Sequence, residues 1–393
     1  MSAYLDHAAT TPVFPHVAAA MAAQRPVVGN PSSLHAAGRA ARRVVEESRE
    51  RLAGALGSRP SEIVFTSGGT ESDNLAVRGV FAARRDVDPR RVRVLVSAAE
   101  HHAVLDCVEF LAAHEGAKVT WLDVDDRGYV QPQTVAAALS DPTDVALVSV
   151  MWANNEVGTV SDIAGIAAVA HAAGVPVHAD AVQALGHVPV DFAASGLDLM
   201  TVTAHKTGGP VGTGALVVRR DLAVVPLSHG GGQERQIRSG TLDVTGILGF
   251  SLAAEYAVGR VQIEGERLVA LRDRLVGGAL GLGFGIRPGG AWTPGDWRTR
   301  LPGNAHLVVP GCEGDALLYL LDAAGVECST GSACQAGVPQ PSHVLLAMGL
   351  SRVEARGALR LTLGHTSTDA DVEAALAVLP AAVERARRAA ALG

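Results

Sequence analysis

No apolar run in this 393-residue sequence approaches the length that spans a bilayer; the longest, such as Val145 to Val150, are far too short. Met1 to Thr10 lacks the basic block and the apolar block of a signal peptide. These two absences predict a soluble, cytoplasmic protein with no membrane partner. Cysteine is scarce as well. Cys107, Cys312, Cys328 and Cys334 contain no Cys-x-x-Cys pair, which argues against a metal or disulfide framework and for reduced thiols available for chemistry. A surplus of positive charge is missing too: the formal net charge is −7, whereas nonspecific nucleic-acid affinity needs clustered Lys and Arg. Nucleic acid is therefore not expected as a direct ligand. The basic stretch Arg84, Arg85, Arg90, Arg91 and Arg93 is interrupted by Asp86 and Asp88 and reads as a solvated loop between elements. There is no internal repeat. No Gly-x-Gly-x-x-Gly turn with a suitably placed acid is present, so a nicotinamide-binding oxidoreductase is discounted.

What is present is ample apolar content, 48% of residues, enough to build a large core and two domains. From about residue 40 to 220, helical patterns alternate with short strand-like runs, the signature of an α/β unit with a mainly parallel sheet. Seven runs qualify as strands: Glu62 to Thr66, Val92 to Ser97, Lys118 to Leu122, Val145 to Val150, Val175 to Ala179, Leu199 to Val202 and Gly214 to Val218. Ser161 to Ala173 reads as a helix with Ser161 or Asp162 as cap and Gly174 as stop. After Thr245 one Ala-rich helical stretch is expected to about Ala279, then a loop from Gly281 to Gly303. That change of pattern suggests a domain boundary near residue 255. The C-terminal part resumes with a strand at Ala305 to Val309, a helix at Gly314 to Ala324, a loop holding two cysteines, and a long helix from Asp369.

Three short segments carry chemistry. Thr66-Ser67-Gly68-Gly69-Thr70-Glu71-Ser72 follows a strand and opens a helix, so its backbone N–H groups can hold an anion such as a phosphate. Asp180 ends a strand, with Gln183 a turn further on, where an open parallel sheet has its ligand crevice; alone, it reads equally well as the cap of a following helix. Lys206 lies just past another strand, between Thr, His and glycines; a lysine held in a crevice can have its pKa lowered and form a Schiff base. Together, a phosphate cradle, a carboxylate and a reactive lysine are what a protein needs to hold pyridoxal phosphate.

With these segments in place, the sequence resembles the cysteine desulfurases of the iron–sulfur assembly and nitrogen-fixation type, within the class V aminotransferases. The landmarks are Tyr4-Leu5-Asp6-His7-Ala8-Ala9-Thr10-Thr11-Pro12, Gly29-Asn30-Pro31-Ser32-Ser33-Leu34-His35, the Thr66 segment through Asn74, Glu100-His101-His102-Ala103-Val104 and Asn154-Asn155-Glu156-Val157-Gly158. They continue with His178-Ala179-Asp180, the Lys206 segment, Arg238-Ser239-Gly240-Thr241 and Ser329-Thr330-Gly331-Ser332-Ala333-Cys334. The resemblance implies an α/β fold of the type I pyridoxal-phosphate-dependent class: a large domain over 15–254 with a mainly parallel seven-stranded sheet, and a smaller α+β domain from 1–14 and 255–393. It implies that Gly69, Thr70, Thr203 and His205 bind the cofactor phosphate, with Thr241 reaching it from the second subunit of a homodimer. It further implies that Asp180 pairs with the pyridine nitrogen, Gln183 with the phenolic oxygen, and that Lys206 is the covalent attachment point. His101 would stack on the ring and move protons. Asn155 and Arg360 would hold the carboxylate of the substrate, L-cysteine, and an arginine fork suits that task.

By the same resemblance Cys334 is the nucleophile that takes sulfur as a persulfide and passes it to an acceptor protein, leaving alanine. No resident metal is implied, although Cys334 could meet an iron–sulfur cluster transiently with a partner. Cys328 reads as structural. There are departures: His102 stands where lysine is frequent, His365 where arginine is common, and the chain ends soon after its last helix, where some relatives carry a tail that docks an iron–sulfur scaffold. The short segment Gln335 to Gln340 resembles the group with a mobile cysteine loop. Competing readings are an aminotransferase or selenocysteine lyase on the same fold, or an idle structural homologue.

Overall fold

The computed structural model describes residues 2–331 and 341–390. After a two-residue strand β1 (Ala3–Tyr4), seven strands form one sheet: β2 (Ile63–Thr66), β3 (Arg93–Ser97), β4 (Lys118–Leu122), β5 (Val145–Ser149), β6 (Val177–Asp180), β7 (Leu199–Thr203) and β8 (Gly214–Val218). Their order is β2-β8-β7-β6-β5-β3-β4. The pairs from β7 through β4 are parallel, while β8 runs antiparallel to both its neighbours. All seven expected strands are present, with ends moved by one or two residues, and β2 runs the same way as β7.

Side-chain alternation divides this sheet into two apolar layers. Ile63, Phe65, Leu95, Ala215 and Val217 pack on one face with the helices Ala36–Leu56, Ile163–Ala172 and Val244–Val258. Val64, Val94, Val96, Leu216 and Val218 pack on the other with the helices Gly69–Val87 and His102–His114. Covering both faces is what a parallel sheet requires, and it explains why these strands are apolar throughout.

A second core lies around β9 (Arg287–Pro288), β10 (Asn304–Val308), β11 (Val326–Glu327) and β12 (Ala358–Thr362). β12-β10-β9 are antiparallel, and β1 pairs in parallel with β11, so the N-terminal residues join the C-terminal ones. Leu5, Leu307, Leu361 and Leu379 meet there.

Some expectations need correction. The single helix from Thr245 to Ala279 is two helices, Val244–Val258 and Val261–Leu280, broken at Gly259 and Arg260. The Gly281 to Gly303 loop contains β9, pinned to β10. The arginine stretch is not one solvated loop: Arg84 and Arg85 close the Gly69–Val87 helix, Arg90 and Arg91 pair with Asp88 in a turn, and Arg93 begins β3. Asp162 is the cap of the Ile163–Ala172 helix, accepting from the Gly165 N–H at 3.0 Å. No described helix is long and apolar enough to cross a membrane.

Candidate active site

Five strands of the large sheet, β2, β3, β5, β6 and β7, end on the same edge, and the segments that follow them line one cleft of about 400 Å³. Carboxyl ends of parallel strands are where ligands bind in such sheets, because the connecting loops converge there. Gly69 and Thr70 come from after β2, His101 from after β3, Asn155 from after β5, Asp180 and Gln183 from β6, and Thr203, His205 and Lys206 from β7. Arg360 enters from β12, on the other sheet. Thr241 is exposed and does not line the cleft of its own chain. Cys334 lies outside the described residues, as do Ser332, Ala333 and Gln335 to Gln340.

Gly68 precedes the Gly69–Val87 helix and offers no side chain to its first turn, which leaves the N-terminal N–H groups for an anion. A Cβ on Gly69 would lie 2.9 Å from Val182 Cγ2, so a side chain here would crowd the loop after β6. Thr203 donates its hydroxyl to the Thr213 carbonyl at 3.1 Å, and His205 Nδ1 lies 3.3 Å from Thr10 Oγ1.

Asp180 sits on the cleft floor, 5% exposed. No regular helix follows it; its carboxylate instead accepts from the Val182 N–H at 2.8 Å in a turn. Burial holds this carboxyl above the usual range, partly opposed by the Val182 N–H and the charge of Lys206. A buried carboxylate so placed suits a cationic ring N–H. Gln183 gives one amide N–H to the Ala8 carbonyl at 2.9 Å and keeps a second for the cleft.

Lys206 Nζ donates to the carbonyls of Ala8 at 2.5 Å and Ala9 at 2.6 Å. Burial and then the charge of Arg360 lower it to about 8, against the pull of Asp6 and Asp180. His101 caps its helix: Nδ1 accepts from the Ala103 N–H at 3.1 Å, so the neutral ring carries its proton on Nε2. Burial, then Lys206, lower His101 to about 4, which keeps it neutral near pH 7. His101 thus caps its helix and lines the cleft at once.

Arg360 is 5% exposed. Its Nη1 donates to the Asn155 carbonyl at 2.9 Å and its Nη2 to Asp6 Oδ1 at 2.8 Å, while Nε is buried without a hydrogen-bond partner among the described residues. Cys328 is buried, and burial pushes its thiol up to about 12, as expected of a structural cysteine.

The chemistry of this donor set fits pyridoxal phosphate: an anion cradle, a floor carboxylate and a lysine of lowered pKa face one volume. Sequence reasoning gave no role to Asp6, Ala8, Ala9 or His343. Ala8 and Ala9 act through backbone carbonyls, which no side-chain pattern reveals. His343 lines the cleft and lies 5.2 Å, ring to ring, from His102.

Residues 3–375 match the profile of the family described as aminotransferase class-V. The chain is 59% identical over 388 residues to an IscS-like cysteine desulfurase of Mycobacterium tuberculosis, covering 99% of this chain and 98% of that one. Among solved structures, a NifS-like protein superposes with a TM-score of 0.88 at 34% identity, covering 98% of this chain and all of the other. A structure described as SspA in complex with cysteine gives 0.78 at 32% identity over 92% of this chain and 99% of that one.

Proposed function

Because the chain belongs to the class-V aminotransferase family, we propose that it is a pyridoxal-phosphate-dependent cysteine desulfurase, which converts L-cysteine to alanine and keeps the sulfur as a persulfide on Cys334. The observation that carries this reading is the convergence of Lys206, Asp180 and Arg360 on one cleft. The likeness to IscS-like and NifS-like proteins over nearly the whole chain supports it.

The residues divide the work as follows. The first turn of the Gly69–Val87 helix, with Thr70, Thr203 and His205, binds the phosphate, and Thr241 of a second subunit in a homodimer completes that site. Asp180 keeps the ring-nitrogen proton in place, and Gln183 donates to the phenolic oxygen. When bound, the cofactor supplies a sink for the electron pair released at the substrate Cα. Arg360 and Asn155 hold the substrate carboxylate. Lys206, lowered to about 8, removes the Cα proton as a neutral amine. His101 packs against the ring and, with its proton on Nε2, hands protons within the cleft. The Cys334 thiolate attacks the substrate sulfur; the S–S bond forms as the C–S bond breaks, its electron pair goes to Cβ, and protonation of Cβ with return of a proton to Cα gives alanine. An acceptor protein then takes the sulfur. In this reading residues 15–254 form the large domain, 1–14 and 255–393 the small one, and the protein works in the cytoplasm.

The test is alanine and sulfide production from L-cysteine by the cofactor-loaded protein with a reducing thiol, beside Cys334→Ser. Equal amounts of both products from wild type and none from the variant are expected. Full turnover by Cys334→Ser would remove the nucleophile assignment. No product from a cofactor-loaded wild type would point instead to transamination.

A further inference from the structure

Asp6 belongs to the N-terminal segment that crosses from the small core to the cleft, and its backbone is held on both sides. It bridges Thr362 of β12 in parallel, and the N–H groups of Ala9 and Thr10 return to its carbonyl at 3.0 and 3.4 Å. Tyr4 Oη closes the same turn, donating to the Asp6 carbonyl at 3.2 Å and to that of Thr10 at 2.8 Å. Thr362 and Arg360 lie two residues apart on one strand, hence on one face. That register brings the Asp6 carboxylate to Arg360 Nη2 at 2.8 Å, while the Asn155 carbonyl takes Nη1 at 2.9 Å. Each Nη carries two hydrogens, so these bonds fix the guanidinium plane and leave one N–H on each Nη free of any partner among the described residues.

Resting on the desulfurase reading above, we propose that Asp6 is a positioning residue for the substrate: it pins the Arg360 fork in the orientation that receives the amino-acid carboxylate. Asp6 does not itself line the cleft, so it acts through Arg360. A fork held in advance loses less side-chain freedom when the carboxylate arrives. The negative charge of Asp6 also favours the cationic form of Lys206, against the effect of Arg360. His101 and His205 also feel Lys206, and both stay neutral near pH 7.

The experiment uses the cofactor-loaded full-length protein as wild type, Asp6→Asn, Asp6→Ala, Arg360→Ala and the Asp6→Ala/Arg360→Ala double variant. For each, KM and kcat with L-cysteine are measured, together with the pH midpoint of the visible absorbance of the lysine-linked cofactor. Asp6→Ala should raise KM roughly tenfold, and Asp6→Asn, which keeps an acceptor for Nη2, only about threefold, with kcat changing less than KM. In both variants the absorbance midpoint should move to lower pH, because a negative charge near the linkage is lost. In the Arg360→Ala background, Asp6→Ala should leave KM within about twofold, since the two residues act as one unit. An unchanged KM in Asp6→Ala, an additive effect in the double variant, or a midpoint that stays or rises would overturn the proposal. Should Asp6→Ala fail to retain cofactor, the same cycle built with Asp6→Asn decides. Absence of alanine from wild type would count against the desulfurase reading, and the absorbance midpoints together with the spectral change on adding L-cysteine would still judge Asp6.

Discussion

Lys206 is one of two lysines in the chain; the other, Lys118, is exposed at the start of β4. Their environments make them chemically distinct. Lys206 is held by two backbone carbonyls and lowered to about 8, first by burial. Below that pH it is a cation and cannot attack an aldehyde; above it the amine is free. The rate at which the apoprotein takes up pyridoxal phosphate should therefore rise with pH around 8 instead of near the ordinary lysine value of about 10.4. Borohydride reduction followed by peptide mass mapping should find the modification on Lys206 and not on Lys118. Label spread equally over both, or an uptake midpoint near 10, would contradict this assignment. That Lys206 carries chemistry was legible from its neighbours Thr203, His205, Gly208 and Gly209. What lowers its pKa was not, because burial and Arg360 reach it through the fold.

At the scale of the element, the turn after β2 depends on a glycine from another strand. Gly214 opens β8 opposite Thr66, and a Cβ there would lie 2.7 Å from Gly68 Cα and 2.9 Å from the Val202 carbonyl. Both are backbone atoms that cannot swing aside, so Gly214→Ala must push the Ser67-Gly68 turn away from β7. Cofactor affinity should weaken about tenfold or more, measured by fluorescence titration of the apoprotein, because the anion cradle is displaced. Equal affinity in the variant would mean that the turn relaxes freely. The sequence marks Gly68 and Gly69 as a cradle through their place after a strand. It does not mark Gly214, whose importance comes from the antiparallel pairing of β8 with β2. The split of the Thr245 stretch into two helices has a similar origin: the first packs on the core of the large sheet and the second on the small core.

Across the molecule, the large sheet is tied to the segment before Thr241 by a buried ion pair. Arg49, from the Ala36–Leu56 helix, meets Glu234 through two hydrogen bonds of 2.8 and 2.7 Å, and Glu234 also accepts from the Phe65 N–H of β2 at 2.8 Å. The Glu234 side chain is 1% exposed. Arg49→Met would strand that carboxylate without a cation, and removing one partner of a buried pair costs about 3–5 kcal/mol. Urea unfolding of the apoprotein should show a loss of that order, and Arg49→Met/Glu234→Gln should recover part of it. A loss below about 1 kcal/mol would mean that water reaches Glu234. Neither residue attracted notice in the sequence, since 185 positions separate them.

The sequence by itself determined the seven strands, the covered parallel sheet and most of the cleft. Strand runs are short, apolar and bounded by turn residues, and the chemistry-bearing residues follow them directly, so one sheet edge collects Gly69, His101, Asn155, Asp180 and Lys206. Only the tertiary structure decided how Arg360 arrives from a second sheet, how Asp6 fixes it, and why Lys206 and Asp180 depart from their solution acidities. Those properties depend on distances between residues hundreds of positions apart and on exclusion of water, and neither is written in local composition or spacing. Asp6 meets Arg360 because β1 folds back to pair with β11, bringing the first residues of the chain beside the last strand of the small sheet.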